Sequence, residues 1–248
     1  MSTLQVRDAG DRVIVALDRP EVRNAIDDAM ARELHEVCAE LERDPRILIV
    51  TGATSAERGV FAAGADIGGL LERGRDQALA GINSSLFTRI AELPAPVIAA
   101  VDGFAMGGGA ELAYAADFRV ASTRAVFGNP EVGLGILAAA GGTWRLQELV
   151  GVALAKEMLL AGRRVGAAEA LERGLVTSVH EPEDLAAAAD ALADRIAEQD
   201  PLAVRLTKRV LRAPRDAHPL VDDLAQAVLF ESDAKRDRMT AFLSSRKG

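Results

Sequence analysis

Two glutamates have the residue type and the setting for acid–base chemistry. Glu111 lies among small, apolar or aromatic residues from Gly107 to Ala116, so its helix is predicted to be buried on all sides. Glu131 lies in the glycine-rich, turn-forming segment 129–135 instead of on a charged helix face. Burial raises the pKa of a carboxyl group, and two neighbouring carboxyls can hold one water and divide acid and base work. An alternative is that Glu111 only satisfies free N–H groups at a helix terminus.

Two clusters of small residues can supply complementary hydrogen-bond donors. The clusters Ala62–Asp66 and Met106–Gly109 each follow a predicted strand and enter a helix. Small side chains let a ligand approach the backbone, and the N–H groups at a helix start lack partners within the helix. Two such donors can hold a carbonyl oxygen as it becomes an oxyanion, each contributing about 3–4 kcal/mol. Close packing of helix on strand explains the same glycines equally well, so both interpretations stay open.

The elements around these residues predict one α/β core followed by a helical carboxyl-terminal extension. Short apolar strands alternate with amphipathic helices, which is typical of βαβ units. Strands are predicted at 13–17, 47–50, 97–101, 118–121, 126–128 and 175–179. Helices are predicted at 27–43, 76–93, 185–198, 201–212 and 220–243, with two more after Asp66 and after the Met106–Gly109 cluster. No internal repeat or linker separates the parts.

Composition and charge exclude several classes of function. The 248 residues carry a net charge of −8 with one Trp and one Tyr, which argues against nucleic-acid binding. No residues cluster with metal-ligand spacing, and the single cysteine, Cys38, gives no disulfide framework. Cys38 shares an apolar helix face, which favours a buried thiol over a nucleophile. No secretory signal or membrane-spanning run is recognisable, so we expect a cytoplasmic protein without membrane partners.

Three motifs in order resemble the enoyl-CoA hydratase/isomerase (crotonase) family. They read Phe61-Ala62-Ala63-Gly64-Ala65-Asp66-Ile67, Val101-Asp102-Gly103-Phe104-Ala105-Met106-Gly107-Gly108-Gly109-Ala110-Glu111-Leu112 and Phe127-Gly128-Asn129-Pro130-Glu131-Val132-Gly133-Leu134-Gly135. Flanking matches extend the resemblance over nearly the whole chain; they are Leu17-Asp18-Arg19-Pro20, Asn24-Ala25-Ile26, Gly141-Gly142-Thr143 and Ala203-Val204 with Lys208. Separate motifs in the right order and spacing are far more specific than any one of them.

The resemblance implies a fold, a reaction and a set of roles. The implied fold is a spiral of ββα units with the acyl-CoA site over residues 1–190, then a helical region, 191–248, that drives formation of trimers or of hexamers made of two trimers. By resemblance, the backbone N–H groups of Ala65 and Gly108 form an oxyanion hole around the thioester carbonyl. Glu111 and Glu131 then orient a water that adds to C3 of a 2-enoyl-CoA while C2 receives a proton, which yields a 3-hydroxyacyl-CoA.

The resemblance also implies a binding path for coenzyme A, which belongs to the substrate, so no separate cofactor is expected. The residues implied in this path are Arg23, Ala25, Ala63, Asp66 and Ile67, with Arg23 as a phosphate contact. Asp66 is equally suited to cap the helix that follows it.

Departures from the family pattern concern the loop after Glu131. It reads Ala138-Ala139-Ala140 where a Pro-Gly-Ala run is frequent, and an N–H in this loop can help to hold the water. Trp144 stands where a Gln is common, and it either reshapes the acyl pocket or only packs. The segment 133–138 matches a dinucleotide-binding pattern by letter but does not follow a strand. Isomerisation, another enolate reaction on a specialised acyl group, and non-catalytic acyl-CoA binding remain alternatives to hydration.

Overall fold

The structure is a computed structural model that describes residues 2–53 and 59–246. The strands are β1 (Leu4–Asp8), β2 (Arg12–Leu17), β3 (Ile47–Gly52), β4 (Val60–Ala62), β5 (Val97–Val101), β6 (Phe104–Met106), β7 (Phe118–Ser122), β8 (Val126–Gly128), β9 (Arg164–Gly166) and β10 (Ser178–His180). The α-helices are α1 (Asp28–Arg43), α2 (Ile67–Glu72), α3 (Arg75–Ala80), α4 (Ile82–Ala91), α5 (Gly108–Ala115), α6 (Gly142–Ala161), α7 (Ala167–Glu172), α8 (Leu185–Ala197), α9 (Pro201–Leu211), α10 (Leu220–Phe230) and α11 (Asp233–Ser245).

The strands form two sheets, and along the chain strands of one sheet alternate with strands of the other from β3 to β8. The larger sheet has the order β1-β2-β3-β5-β7-β10, with only the β1–β2 pair antiparallel. The smaller sheet has the order β4-β6-β8-β9, with β8 and β9 antiparallel. Each pair β3–β4, β5–β6 and β7–β8 places one strand in each sheet before the chain enters a helix. The predicted spiral of ββα units is therefore confirmed.

The sequence explains why these segments take these conformations. All five residues of β5, Val97–Val101, are buried, as expected of a central parallel strand covered on both faces. Helix α1 begins where the Asp27 side chain accepts a hydrogen bond from the Met30 N–H, and it buries one apolar stripe that includes Leu34 and Cys38. Buried residues of this strand and of this helix belong to the same hydrophobic core.

Several predicted boundaries are wrong. The helix predicted at 76–93 is two helices, α3 and α4, because Gly81 adopts a left-handed conformation with φ of 61° between them. The helix predicted at 220–243 is divided into α10 and α11 near Ser232, whose hydroxyl accepts from the Lys235 N–H and caps α11. The strand predicted at 175–179 is the shorter β10, whereas Leu175 and Val176 are buried outside it. Strand β1 and the short strands β4, β6 and β9 were not predicted.

The chain forms two compact units, Met1–Ala193 and Asp194–Gly248. The first unit contains both sheets, and the second contains α9, α10 and α11. Across residues 2–53 and 59–246, none of the helices has the length and apolar character needed to cross a membrane. The same residues contain no cluster of His, Cys, Asp or Glu side chains suited to a metal ion.

Candidate active site

The first unit contains a cavity of about 490 Å³ that brings the four predicted reactive groups together. Its wall is formed by the segment 63–70, by residues from α3 and α4, by the start of α5 and by the segment 130–140. Ala65, Gly108, Glu111 and Glu131 all line this cavity. The two motif clusters and the two carboxyl groups, which are far apart in sequence, therefore face a single space.

Two backbone N–H groups are presented side by side at one end of the cavity. The Gly64 carbonyl accepts a hydrogen bond from the Ile26 N–H, and the Asp66 N–H donates one to the Ile26 carbonyl. The Ala65 N–H between them has no hydrogen-bond partner in the described chain. Gly108 begins α5, and its N–H has no partner within the helix. A Cβ added to Gly108 would lie 3.4 Å from the Ala65 nitrogen, which shows how closely the two segments approach.

Glycine makes this approach possible. Gly64 has a φ of +110°, and a Cβ there would lie 2.9 Å from the Met106 carbonyl oxygen. A Cβ at Gly109 would lie 2.3 Å from the Ala62 carbonyl oxygen, closer than atoms tolerate. At Gly109, helix α5 thus packs directly against Ala62 of β4. Close packing, one of the two roles predicted for these glycines, is therefore confirmed, and Gly64 and Gly108 also line the cavity.

Glu111 is held by the backbone of the loop that departs from the family pattern. All eight residues of α5 are buried, and Glu111 Oε1 accepts hydrogen bonds from the Ala140 N–H at 2.7 Å and the Gly142 N–H at 2.9 Å. Burial raises the pKa of Glu111 to about 7; the Gly142 N–H opposes this rise and the charge of Glu131 adds to it. A carboxyl with this pKa is partly ionised at neutral pH, so it can take up or release a proton there.

Glu131 begins a short 3₁₀ helix, Glu131–Leu134, and its two carboxyl oxygens differ in their surroundings. Oε1 lies 3.4 Å from the amide nitrogen of Asn129, and Oε2 is buried without a hydrogen-bond partner among the described residues. Burial raises the pKa of Glu131, and the Asn129 amide opposes part of this rise. A buried oxygen with no donor nearby favours the protonated form of this carboxyl.

The residues predicted to bind coenzyme A divide into two groups. Ala63 and Ile67 line the cavity, whereas Asp66 accepts from the Gly69 N–H at 2.8 Å and caps α2. Arg23 and Ala25 lie outside the cavity wall, with the Arg23 side chain exposed and its carbonyl bound to the Ala63 N–H. Asp66 therefore caps α2, which was one of its two predicted roles. Arg23 supports the Ala62–Asp66 cluster through its backbone carbonyl.

Sequence analysis missed several residues of the site. Tyr114 and Asn129 are both buried, and the Tyr114 hydroxyl donates to Asn129 Oδ1 at 3.0 Å. The signal for Tyr114 is a lone tyrosine in a helix predicted to be buried, since a buried hydroxyl requires a partner, and Asn129 belongs to the third motif. Asn83 on α4 lines the cavity near Gly108, and no motif indicated it.

Two side chains that were considered for roles in the site lie outside the cavity wall. Trp144 is 44 % exposed, does not line the cavity, and has the Arg145 guanidinium 4.0 Å from its ring centre. This position favours the packing alternative for Trp144. Cys38 is buried in the core, where burial raises the pKa of its thiol to about 12, so the structural interpretation holds. In the loop at 138–142, the Ala140 and Gly142 N–H groups donate to Glu111.

The arrangement is suited to chemistry next to a carbonyl group. Paired N–H donors at a helix start stabilise a carbonyl oxygen that gains negative charge. Two carboxyls with raised pKa values can exchange protons with neighbouring carbon and oxygen atoms. The rest of the wall is largely apolar, from the side chains of Leu70, Ile82, Leu134, Ile136 and Leu137.

Comparison with known proteins points in the same direction. The family model described as enoyl-CoA hydratase/isomerase matches residues 11–247. The chain is 39 % identical to a short-chain-enoyl-CoA hydratase of Clostridium acetobutylicum, over 96 % of this chain and 93 % of that protein. It is 37 % identical to a crotonyl-CoA hydratase of Syntrophomonas wolfei subsp. wolfei, over 94 % and 92 %. The crystal structure of an enoyl-CoA hydratase from Bacillus anthracis superposes with a TM-score of 0.91 at 32 % identity, covering 98 % of this chain and 96 % of that one.

Proposed function

Because the chain belongs to the enoyl-CoA hydratase/isomerase family, we propose that it is an enoyl-CoA hydratase. It adds water reversibly to a 2-enoyl-CoA and forms a 3-hydroxyacyl-CoA. The observation that carries the proposal is the presence of two buried carboxyl groups, Glu111 and Glu131, in the same cavity as two unpaired N–H groups. A double-bond isomerase needs one carboxyl that moves a proton between carbons, whereas hydration also needs a group that activates water.

The Ala65 and Gly108 N–H groups bind the thioester carbonyl oxygen. When water attacks C3, the electrons of the double bond shift toward this oxygen, and the two donors stabilise the enolate charge. Donors of this kind contribute about 3–4 kcal/mol each to the transition state. The donors are fixed before the substrate binds, since Gly64 and α5 hold them in the backbone.

The two carboxyl groups share the proton work. Glu111 as a carboxylate takes a proton from the water whose oxygen forms the bond to C3. Glu131 as a carboxylic acid gives its proton to C2, and the double bond becomes a single bond. One proton shared by the pair satisfies both roles, and a pKa of about 7 for Glu111 keeps this state populated near neutral pH. Dehydration runs the same steps backwards.

The proposed substrate is a short-chain acyl thioester. The names of two relatives specify short-chain and crotonyl substrates, and the cavity of about 490 Å³ has an apolar wall. Coenzyme A belongs to the substrate, and the steps above require no further cofactor. A cytoplasmic location is part of the proposal and is supported by the single, buried cysteine.

A homotrimer, or a hexamer of two trimers, is the proposed assembly. In the second unit, α10 exposes Leu220, Leu224 and Val228, which are 54–63 % accessible in the single chain. These residues recur about once per helical turn, so they form one apolar stripe that a second copy can cover. Light scattering of the purified protein measures the mass of the assembly, and a monomer would exclude this part of the proposal.

The test of the activity is the loss of enoyl-thioester absorbance with crotonyl-CoA and with a longer 2-enoyl-CoA. We expect rapid loss with crotonyl-CoA. In Glu131→Gln, kcat should fall by about 10²–10⁴ with little change in binding, because the amide cannot supply the proton. In Glu111→Ala, hydration should suffer more than isomerisation of a 3-enoyl-CoA. Near wild-type hydration by Glu131→Gln would refute the mechanism, and equal losses of the two reactions in Glu111→Ala would refute the division of roles.

A further inference from the structure

A buried chain of hydrogen bonds connects α5 to the second glutamate. The Tyr114 hydroxyl donates to Asn129 Oδ1 at 3.0 Å, and Asn129 Nδ2 faces Glu131 Oε1 at 3.4 Å. Tyr114 is 3 % exposed and Asn129 is 1 % exposed, so water does not replace these partners. Neither Tyr114 nor Asn129 lines the cavity, so neither one touches a substrate there.

One orientation of the Asn129 amide suits both of its neighbours. An amide has one accepting and one donating end, and the Tyr114 hydroxyl occupies the accepting end. The donating end is then left for Glu131. With the amide reversed, its oxygen would face the carboxyl group and repel the ionised form. The ionised carboxyl group therefore selects this orientation, and the Tyr114 hydroxyl supports it by donating to Oδ1.

We propose that Tyr114 and Asn129 are positioning residues for Glu131: the Tyr114 hydroxyl donates to Asn129 Oδ1 and so holds the Asn129 NH₂ group on Glu131 Oε1, where it orients the carboxyl group and stabilises its ionised form. The inference rests on the proposed function, since it needs Glu131 to move a proton at C2. It goes further in naming the two residues that orient this carboxyl group and stabilise its anion.

The arrangement acts mainly during the reaction. In the hydration direction Glu131 loses its proton and becomes an anion, and hydrogen bonds to an ionised group are stronger than those to a neutral one. The Asn129 NH₂ group therefore stabilises the transition state more than the ground state, which raises kcat more than it changes binding. The charged side chains that act on Tyr114 are Glu131, Glu111 on α5 and Arg119 on β7, and Arg145 on α6 acts on Glu111.

Three variants test the inference by crotonyl-CoA hydration measured across pH. Tyr114→Phe removes only the hydroxyl, Asn129→Leu removes the amide at similar volume, and the third variant combines both. We expect Tyr114→Phe to lower kcat about fivefold, the factor carried by one neutral hydrogen bond, with KM nearly unchanged. The basic limb of the pH profile, which reports the pKa of Glu131 as the acid, should move to higher pH in both single variants. Each variant loses a hydrogen bond that supports the ionised form of Glu131.

The double variant shows whether Tyr114 acts through Asn129. If it does, adding Tyr114→Phe to Asn129→Leu has no further effect on kcat. Multiplied effects of the two changes would mean independent roles and would overturn the proposal. Thr51→Val is the matched control, because it also removes a side-chain hydroxyl bonded to an acceptor, the Ala100 carbonyl at 3.0 Å, away from the cavity. A pH profile of Tyr114→Phe that equals that of Thr51→Val would likewise overturn it.

Exchange of the α-hydrogens of butyryl-CoA with deuterated water separates this inference from the proposed function. Exchange needs Glu131 and the oxyanion donors but no addition of water. Wild-type exchange without hydration would remove the hydratase function, and the three variants would then be compared by exchange. If the wild-type protein hydrates crotonyl-CoA and Tyr114→Phe has the same kcat and pH profile, the positioning role is refuted and the hydratase function stands. Absence of both reactions in the wild-type protein would overturn both.

Discussion

Replacing Gly142 with alanine tests how the loop at 138–142 controls Glu111. Glu111 Oε1 accepts from the Gly142 N–H at 2.9 Å. A Cβ at Gly142 would lie 3.1 Å from this oxygen and 2.7 Å from the Ala138 Cβ, so the loop or the carboxyl group must move. Gly142 begins α6 and does not need a positive φ, so alanine suits its backbone conformation. The substitution therefore acts through these contacts.

The size of the effect follows from one hydrogen bond to a charged acceptor. Such a bond contributes about 1.5–3 kcal/mol, and its loss raises the pKa of Glu111 by about one to two units. Because the pKa of Glu111 is about 7, the ionised fraction at pH 7 falls from about one-half to between one-tenth and one-hundredth. Only the carboxylate takes a proton from water, so we expect kcat/KM at pH 7 to fall about 5-fold to 50-fold, with recovery at higher pH.

The assay is the pH dependence of kcat/KM for crotonyl-CoA hydration, which reports the essential groups of the free enzyme. Gly133→Ala is the control, because Gly133 lies in the 3₁₀ helix Glu131–Leu134 and an added Cβ there meets no atom within 4 Å. We expect the acidic limb of the kcat/KM profile to move to higher pH in Gly142→Ala and to keep its wild-type position in Gly133→Ala. A Gly142→Ala profile that matches the control would refute the assignment of this loop as the support of Glu111.

Two further predictions concern stability. Gly109→Ala should lower the free energy of unfolding by about 3 kcal/mol in a denaturant titration, because its Cβ would lie 2.3 Å from the Ala62 carbonyl oxygen. A loss of stability no larger than that of Gly133→Ala would contradict this prediction. Arg124→Met should cost about 3 kcal/mol at neutral pH, since it leaves the buried Asp102 carboxylate without the guanidinium now 2.6 Å away. The Arg124 pair keeps the pKa of Asp102 below its usual value, so this deficit should shrink as pH falls, and a deficit independent of pH would contradict the pairing.

The sequence alone contained much of the chemistry. The uncharged surroundings of Glu111 predicted a buried helix, and all eight residues of α5 are buried. The order of the three motifs predicted the family and the ββα spiral, both of which are confirmed. These properties depend on residue type and on short spacing along the chain, so a linear pattern is enough to express them.

Local pattern was less successful where a single residue changes the backbone direction. The apolar and polar spacing over 76–93 fits one helix, but Gly81 adopts φ of 61° and ends α3. The strand expected at 175–179 begins only at Ser178, since pairing with β7 determines its extent. Periodicity measures which side chains share a face, and it does not measure the dihedral angle of one glycine or the register of a partner strand.

Contacts between distant segments were decided by the tertiary structure alone. Sequence could place Glu111 in a buried helix, but only folding brings the Ala140 and Gly142 N–H groups onto its oxygen. The bond between Tyr114 and Asn129 likewise joins α5 to the turn before Glu131. A hydrogen bond depends on distances to within a few tenths of an ångström, and such distances are set by the packing of whole elements. Residue identity therefore determined which groups were available for the chemistry, and packing determined which of them meet.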